Sequence, residues 1–483
     1  MVGARVAVVG AGPSGLYAAA AIVASGADVD VDVLDRLPAP YGLVRYGVAP
    51  DHIKMKSVIR VLGRPFGPGE VRFLGGVRVG DGSDGSIPLS LLRDHYTAIV
   101  HATGSAVDRC LGIPGEELPG SIGSGEIVGW YCGHPDHGRA PVLDTPGVAV
   151  VGAGNVALDV ARVLARAAEE MAPTDVPDAV LDGLRGSAVR DVHVLIRRGP
   201  QHVKFTPVEL RQLGDLADAE VVVHDDGALA EPLGEGVSDK RQRANLDVLA
   251  GWARAHPASG ARRAARRIHL RFFRSPVRIL GTQRVTGVVV ERTALMPDGR
   301  VVGTGEQDTL DVGLVVRAVG YTAEPIPGLP FDATSGTVPN VAGRVVDLSG
   351  TPVRGQYVTG WIRRGPTGVI GTNKHDAVET AASLLADLPD LPEPPHPDPD
   401  DLARVLSEHG VRPVDWSAWL RLDAEEIRLG RARGAERVKV AELAAMLEAV
   451  HAVHAADEAD EADEAGPASV VSVAEALSEG RRR

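Results

Sequence analysis

Twice in this chain a short apolar run breaks at a glycine turn and resumes as a helix, and that pattern restricts the fold more than any other feature. The first copy is Val6 to Val9, then Gly10-Ala11-Gly12-Pro13-Ser14-Gly15, an alanine-rich run and a second apolar run ending in Asp35. The first glycine permits a tight turn, the second lets backbone approach a pyrophosphate, and the third lets helix and strand pack closely. The helix N-terminus then presents unpaired N–H groups and a positive dipole end to phosphate. Asp35 stands where a carboxylate accepts hydrogen bonds from a ribose 2′-OH. Strand, turn, helix, strand and acid together predict a site for an ADP moiety.

The second copy runs from Val148 to Val151 into Gly152-Ala153-Gly154-Asn155-Val156-Ala157 and the helical LDVARVLARAAEEM. Its partner strand, Val192 to Ile196, ends not in an acid but in Arg197-Arg198. An acid suits a free 2′-OH, whereas two guanidiniums suit a 2′-phosphate, which they hold as charge-assisted forks. This unit is therefore predicted to bind NADP(H).

Alternating β and helical runs make the class α/β, and 483 residues exceed one simple core. Ala102-Thr103-Gly104 closes one β-run and Ala318-Val319-Gly320 another, one on each side of the second glycine unit. The chain is thus expected to leave its first domain and return to it. The expected limits are 1–105 and 320–455 for the first domain, 106–319 for the inserted one, a Pro/Asp linker over 387–401 and an acidic disordered tail over 456–483. The fold class is two Rossmann-like dinucleotide-binding domains, the second inserted in the first.

Composition narrows the function. A net charge of −13 argues against general nucleic-acid binding. No apolar stretch reaches membrane length and no signal peptide is evident, so a cytoplasmic location is expected. The cysteines, Cys110 and Cys132, form no C-x-x-C, which speaks against a zinc site, a disulfide framework and a disulfide-exchanging flavoenzyme. The arginine-rich stretch 240–274 reads either as a solvated face or as part of a docking surface for an acidic partner. The loop RLPAPYGLVRYGVAPDHIKMK, residues 36–56, is shaped by Gly, Pro and aromatic residues, and a helix is expected from there to about Leu62. The segment QYVTGWIRRGPTGVIGTN reads as strand, glycine turn and helix start, and Glu209 falls on a short helix.

LPAPYGLVRYGVAPDHIKMK, IPGEELPGSI, VGAGNVALDVARVL, RRGPQHVKFTPVELRQL, VVRAVGY and GWIRRGPTGVIGTNKHDA occur in that order. With them the chain resembles the adrenodoxin-reductase-like ferredoxin–NADP reductases of the bacterial FprA type, from about Arg5 to Val453. The resemblance implies noncovalent FAD in the first unit and NADP(H) in the second. It implies FAD contacts at Gly10, Gly12, Ser14, Asp35, Leu43, Val79, Trp361, Gly368, Val369 and Ile370. It implies NADP contacts at Arg109, Gly154, Asn155, Val156, Arg197, Arg198, Glu209 and Gly368. Asp35 departs from the family, where Glu is usual; the shorter carboxylate reaches the ribose through a small shift or a water. The resemblance also implies that His52 and Glu209 sit near the nicotinamide, in orientation or proton handling; the alternatives are a structural loop histidine for His52 and a helix-face acid pairing with Arg for Glu209.

The implied reaction is hydride transfer from nicotinamide C4 to flavin N5 at about 3–3.5 Å, then single-electron release to an acidic ferredoxin docked on a basic patch, which feeds a cytochrome P450 or other oxidase. Backbone N–H groups at Gly368 to Ile370 would face the flavin N1/O2 edge. Two rivals are a flavin monooxygenase, for which no apolar substrate pocket is legible, and an electron-donor subunit of a larger complex such as the glutamate synthase small subunit. That subunit carries a Cys-rich iron–sulfur region, whereas here the first strand opens the sequence.

Overall fold

The computed structural model describes residues 4–67, 70–230, 239–255, 264–368 and 370–451. The acidic tail 456–483, Val369, Arg262 and Arg263 lie outside the described residues.

Two large sheets carry the two glycine units. The first has seven strands in the order Asn340–Val341, Arg344–Val346, Pro352–Val358, Ala98–His101, Ala4–Val9, Val29–Asp35 and Val71–Gly75. Its last five strands run parallel, and a hairpin closes the other edge. The second has six parallel strands, ordered Ala219–His224, Arg266–Phe272, Asp191–Ile196, Gly147–Val151, Leu314–Arg317 and Ser121–Gly123. Val6, Ala7, Val8 and Val148 to Val150 are fully buried because parallel strands are covered on both faces. A three-stranded antiparallel sheet, Arg274–Gly281, Val285–Leu295 and Val301–Leu310, closes one face of the second sheet, with Leu195, Ile279, Val288 and Val315 between them.

The inserted topology is direct. The chain leaves the first sheet after His101, builds the second, and re-enters the first at its hairpin edge. The outgoing strand Val107–Asp108 pairs antiparallel with the returning Tyr321–Thr322, so both crossings form one ladder between the domains. The helices Pro13–Val23 and Ile370–Asp387 pack against each other, which brings the late segment 361–370 back to the first glycine turn.

Several local readings differ in detail. The loop 36–56 contains single helical turns at Leu43–Tyr46 and Ile53–Lys56, and the helix expected up to Leu62 is only Ile59–Leu62. Ser57 Oγ takes the Lys54 carbonyl (2.7 Å), and Gly63 and Pro65 follow, so no continuous helix forms. The Pro/Asp segment is docked rather than loose: His396 N donates to Asp94 O (2.8 Å) and Arg5 Nη1 to Pro397 O (3.2 Å).

Candidate functional site

At the first turn, Gly10 has φ +110°, and a Cβ there would stand 2.6 Å from Ala102 O. A Cβ on Gly15 would overlap Gly10 O, so helix and strand touch backbone to backbone. Asp35 ends the neighbouring strand; its carboxylate accepts from Ala11 N (2.8 Å) and Leu37 N (3.0 Å). Burial raises the Asp35 carboxyl above its ordinary range, against the pull of those two amides. Tyr41 N donates to Ala11 O (2.8 Å), and Gly42 lies on Gly12, which sets Leu43 beside the turn with its side chain 47% exposed. Val77 N donates to Asp35 O (2.8 Å) and leads on to Val79, half-buried.

The late segment closes this cradle. A Cβ on Gly360 would overlap Ser14 Oγ, so the turn Trp361–Arg364 starts against the first helix. The Trp361 indole stacks on Tyr321 (6.4 Å, 18°), and its buried Nε1 has no partner among the described residues. Arg364 holds the following loop through Thr367 O (2.8 Å), Asn373 Oδ1 (2.9 Å) and Asp376. That loop carries Gly368 at φ +84° into the helix beginning at Ile370. A turn that excludes side chains, an acid at its flank and an orphaned indole N–H fit FAD.

At the second turn, a Cβ on Gly152 would overlap Ala318 O, whereas one on Gly154 would meet nothing within 4 Å. Gly154 caps the helix Asn155–Ala165, which leaves its first N–H groups facing an open side. Val156 is half-buried behind them. The segment after the arginine pair folds back over this helix start. Lys204 N donates to Ala153 O (2.9 Å), and Thr206 N to Asn155 Oδ1 (2.9 Å). Those bonds set the helix Pro207–Gln212 beside the helix Asn155–Ala165, with Glu209 only 6% exposed and its Oε2 unpartnered among the described residues. Arg197 is exposed at the strand end; Arg198 is half-buried, donates to Gly299 O (3.3 Å) and leaves Nε without a partner. An exposed guanidinium, a second with an unpartnered Nε, and an open helix start fit NADP(H).

The loop after the first glycine unit meets the helix of the second at His52. Its Nε2 lies 3.1 Å from Asp159 Oδ1 and 2.8 Å from Arg162 Nη2, both on the helix of the second glycine unit. One nitrogen serves these partners only in turn: protonated it donates to Asp159, unprotonated it accepts from Arg162. Arg162, fully buried, also grips Asp51 through Nε (2.7 Å) and Nη2 (2.9 Å). Burial pushes the Asp51 carboxyl up, but the bonds and charges of Arg162 and Arg166 outweigh it and bring it below its usual range. No hydrogen bond joins His52 to Glu209 among the described residues. Arg109 stands on the ladder between the domains, its Nε donating to Tyr321 O (2.9 Å), close to the Trp361 stack.

The chain as a whole is similar to known proteins. The FprA NADPH-ferredoxin reductase of Mycobacterium tuberculosis is 41% identical over 470 residues, covering 92% of this chain and 98% of that protein. The chain belongs to the family of NADPH-dependent ferredoxin and adrenodoxin reductases. The mitochondrial NADPH:adrenodoxin oxidoreductase of Mus musculus is 40% identical, covering 92% and 91%. A solved structure of the Mycobacterium tuberculosis FprA in complex with NADPH superposes on this reductase with a TM-score of 0.85 at 39% identity, over 93% of this chain and all of that one. The pyridine nucleotide-disulphide oxidoreductase family model matches residues 4–199. The reductase has no disulfide centre in that region: Cys110 is exposed, and Cys132 is a buried thiol pushed up to about 11 by burial.

Sequence reasoning missed Asp159, Arg162 and Asp51, whose only signal was a charged pair at i, i+3 on the inner side of an otherwise apolar helix. It also missed a buried cation at the seam. Lys439 Nζ donates to Arg45 O (2.7 Å) and Cys132 O (2.8 Å) and pairs with Asp175 (3.1 Å), which Lys56 also holds (2.6 Å). Several arginines of the described part of the arginine-rich stretch are engaged within the fold: Arg267 pairs with Glu220 (2.5 Å), Arg274 with Asp226 (2.9 Å), and Arg271 Nε donates to His193 Nδ1 (3.1 Å).

Proposed function

We infer that this flavoenzyme carries electrons from NADPH to a small iron–sulfur protein. FAD held at the first turn would supply the conversion between the two-electron chemistry of NADPH and the one-electron chemistry of an iron–sulfur acceptor. The observation that carries the reading is the helix Asn155–Ala165. Its N-terminus forms the second phosphate turn, and its side holds His52, which belongs to the loop packed on the first turn. One helix therefore fixes the two nucleotide sites relative to each other.

The chain's own groups do the rest. Gly10, Gly12, Ser14 and Asp35 would hold the FAD diphosphate and ribose, with Leu43, Val79, Trp361, Gly368 and Ile370 around the rest of the group. Gly154, Asn155 and Val156 receive the NADP pyrophosphate, Arg197 and Arg198 the 2′-phosphate, and Arg109 and Gly368 the part nearer the nicotinamide. His52 and Glu209 orient the nicotinamide and hold protons there, His52 by exchanging Asp159 for Arg162 at one nitrogen. The acceptor is an acidic ferredoxin that docks on basic groups between the domains and feeds a cytochrome P450 or other oxidase. The proposed location is the cytoplasm, and the proposed domain limits are those given above.

Anaerobic titration of the purified yellow protein with NADPH and with NADH tests the reading. Bleaching by NADPH at far lower concentration is the expected result. Equal bleaching by both nucleotides would overturn the role of Arg197 and Arg198, and a protein that binds no FAD would overturn the whole assignment. Reduction of ferredoxin should slow as salt rises while reduction by NADPH does not.

A further inference from the structure

Lys204 is held beside the second phosphate turn by the backbone alone. Its amide donates to Ala153 O (2.9 Å), the middle residue of Gly152-Ala153-Gly154, and two residues on Thr206 N donates to Asn155 Oδ1. These bonds lay residues 204–206 across the start of the helix Asn155–Ala165. Val203 and Phe205 are buried and Lys204 is exposed, so the alternation turns its side chain away from the core they fill. Its ammonium makes no ion pair or hydrogen bond among the described residues, whereas Lys56 and Lys439 are both paired. On the same turn a Cβ at Gly154 would find nothing within 4 Å, so the space there is open. A lysine without an ion-pair partner among the described residues is therefore pinned by its backbone beside the second glycine turn.

We propose that Lys204 is a ligand for the pyrophosphate of the nicotinamide nucleotide, separate in role from the arginine pair that reads the 2′-phosphate. This rests on the NADP(H) reading of the second turn. An ammonium is a point charge on a long flexible stem and needs no fixed fork, which suits a pyrophosphate passing over a glycine turn. Arg197 and Arg198 sit at the end of the adjacent strand, one strand away in the sheet. The two sets of cations thus divide the dinucleotide: Lys204 acts on any nicotinamide dinucleotide, and the arginines act only on the phosphorylated one.

Calorimetric titration of the FAD-loaded protein with three probes separates the roles: NADP⁺, ADP-ribose (pyrophosphate without 2′-phosphate) and 2′-AMP (2′-phosphate without pyrophosphate). Lys204→Ala should weaken NADP⁺ and ADP-ribose by about tenfold each, the loss of one charge-assisted bond, and leave 2′-AMP unchanged. Lys204→Arg should restore most of the affinity. Arg197→Ala with Arg198→Ala should show the opposite pattern, losing NADP⁺ and 2′-AMP while keeping ADP-ribose. Unchanged ADP-ribose binding in Lys204→Ala overturns the proposal and leaves the NADP(H) site intact. Loss of 2′-AMP binding in that variant also overturns it, since the lysine would then serve the 2′-phosphate. Failure of the unsubstituted protein to bind NADP⁺ removes the underlying reading along with it.

Discussion

The two glycine units share one plan and differ in how tightly they are closed. In the first, helix and strand touch so closely that Gly15 has no room for a Cβ, and the strand-end acid is fixed by two backbone amides. In the second, the corresponding position is Ala157, fully buried and accommodated, and the strand ends in a guanidinium pair of which Arg197 is exposed. A turn built around a permanently held group is closed and pre-organised. A turn that must receive and release its nucleotide in every cycle keeps its charges accessible, and that difference separates a cofactor site from a substrate site within one chain.

The sharpest way to break this comparison is to fill the first turn. Gly15→Ala forces a methyl into the Gly10 carbonyl and should cost about 3 kcal/mol and most of the bound FAD. Denaturant unfolding together with flavin absorbance measures both, and a stable, fully yellow variant would show that the first turn is as loose as the second. Next in size is the arginine pair. Arg197→Ala with Arg198→Ala should lower NADPH affinity by roughly a hundredfold and leave FAD content untouched. Equal losses for NADPH and NADH in stopped-flow reduction would erase the contrast between acid and guanidinium strand ends.

The seam between the two units supplies a third test. Burial raises the Asp175 carboxyl, but Lys439 and Lys56 outweigh it and hold it down to about 2, below its ordinary 3.8. A depressed folded pKa means stability that is present above about pH 4 and lost as pH falls toward 2. The loss should be about 2 kcal/mol, at roughly 1.4 kcal/mol per pKa unit. Asp175→Asn should flatten that part of the acid-unfolding profile, and an unchanged profile would remove Asp175 from the seam's stability. The mildest effect belongs to the second turn's own helix. Ala157→Gly should cost only about 1 kcal/mol and leave FAD binding intact, as thermal unfolding would show.

Much of each nucleotide site was legible in the sequence because its parts are local. Strand, turn and helix are consecutive, and the acid at Asp35 or the pair at Arg197 and Arg198 ends the very next strand. The late segment 361–370 was legible only as a motif; its return to the first turn depends on Gly360 meeting Ser14. The helix expected after residue 56 was overread, since apolar spacing there competes with Ser57, Gly63 and Pro65. The arginine-rich stretch was legible as charge and not as geometry. Its strand residues Arg267 and Arg271 meet Glu220 and His193 across the parallel register, and Arg274 reaches Asp226 in the loop after the edge strand.

The sequence by itself determined that there are two dinucleotide turns, that one suits a free ribose and the other a 2′-phosphate, and that one domain interrupts the other. Those properties follow from side-chain volume and charge at fixed local spacing. Only the tertiary structure decided that His52 lies between Asp159 and Arg162, that Lys439 bolts Arg45, Cys132 and Asp175 together, and that the Lys204 amide is bonded to the second turn. Most of these contacts join residues far apart in sequence, and their free energy comes from charges brought together after water is excluded. That proximity exists only once the two sheets have packed across the ladder Val107–Asp108 and Tyr321–Thr322.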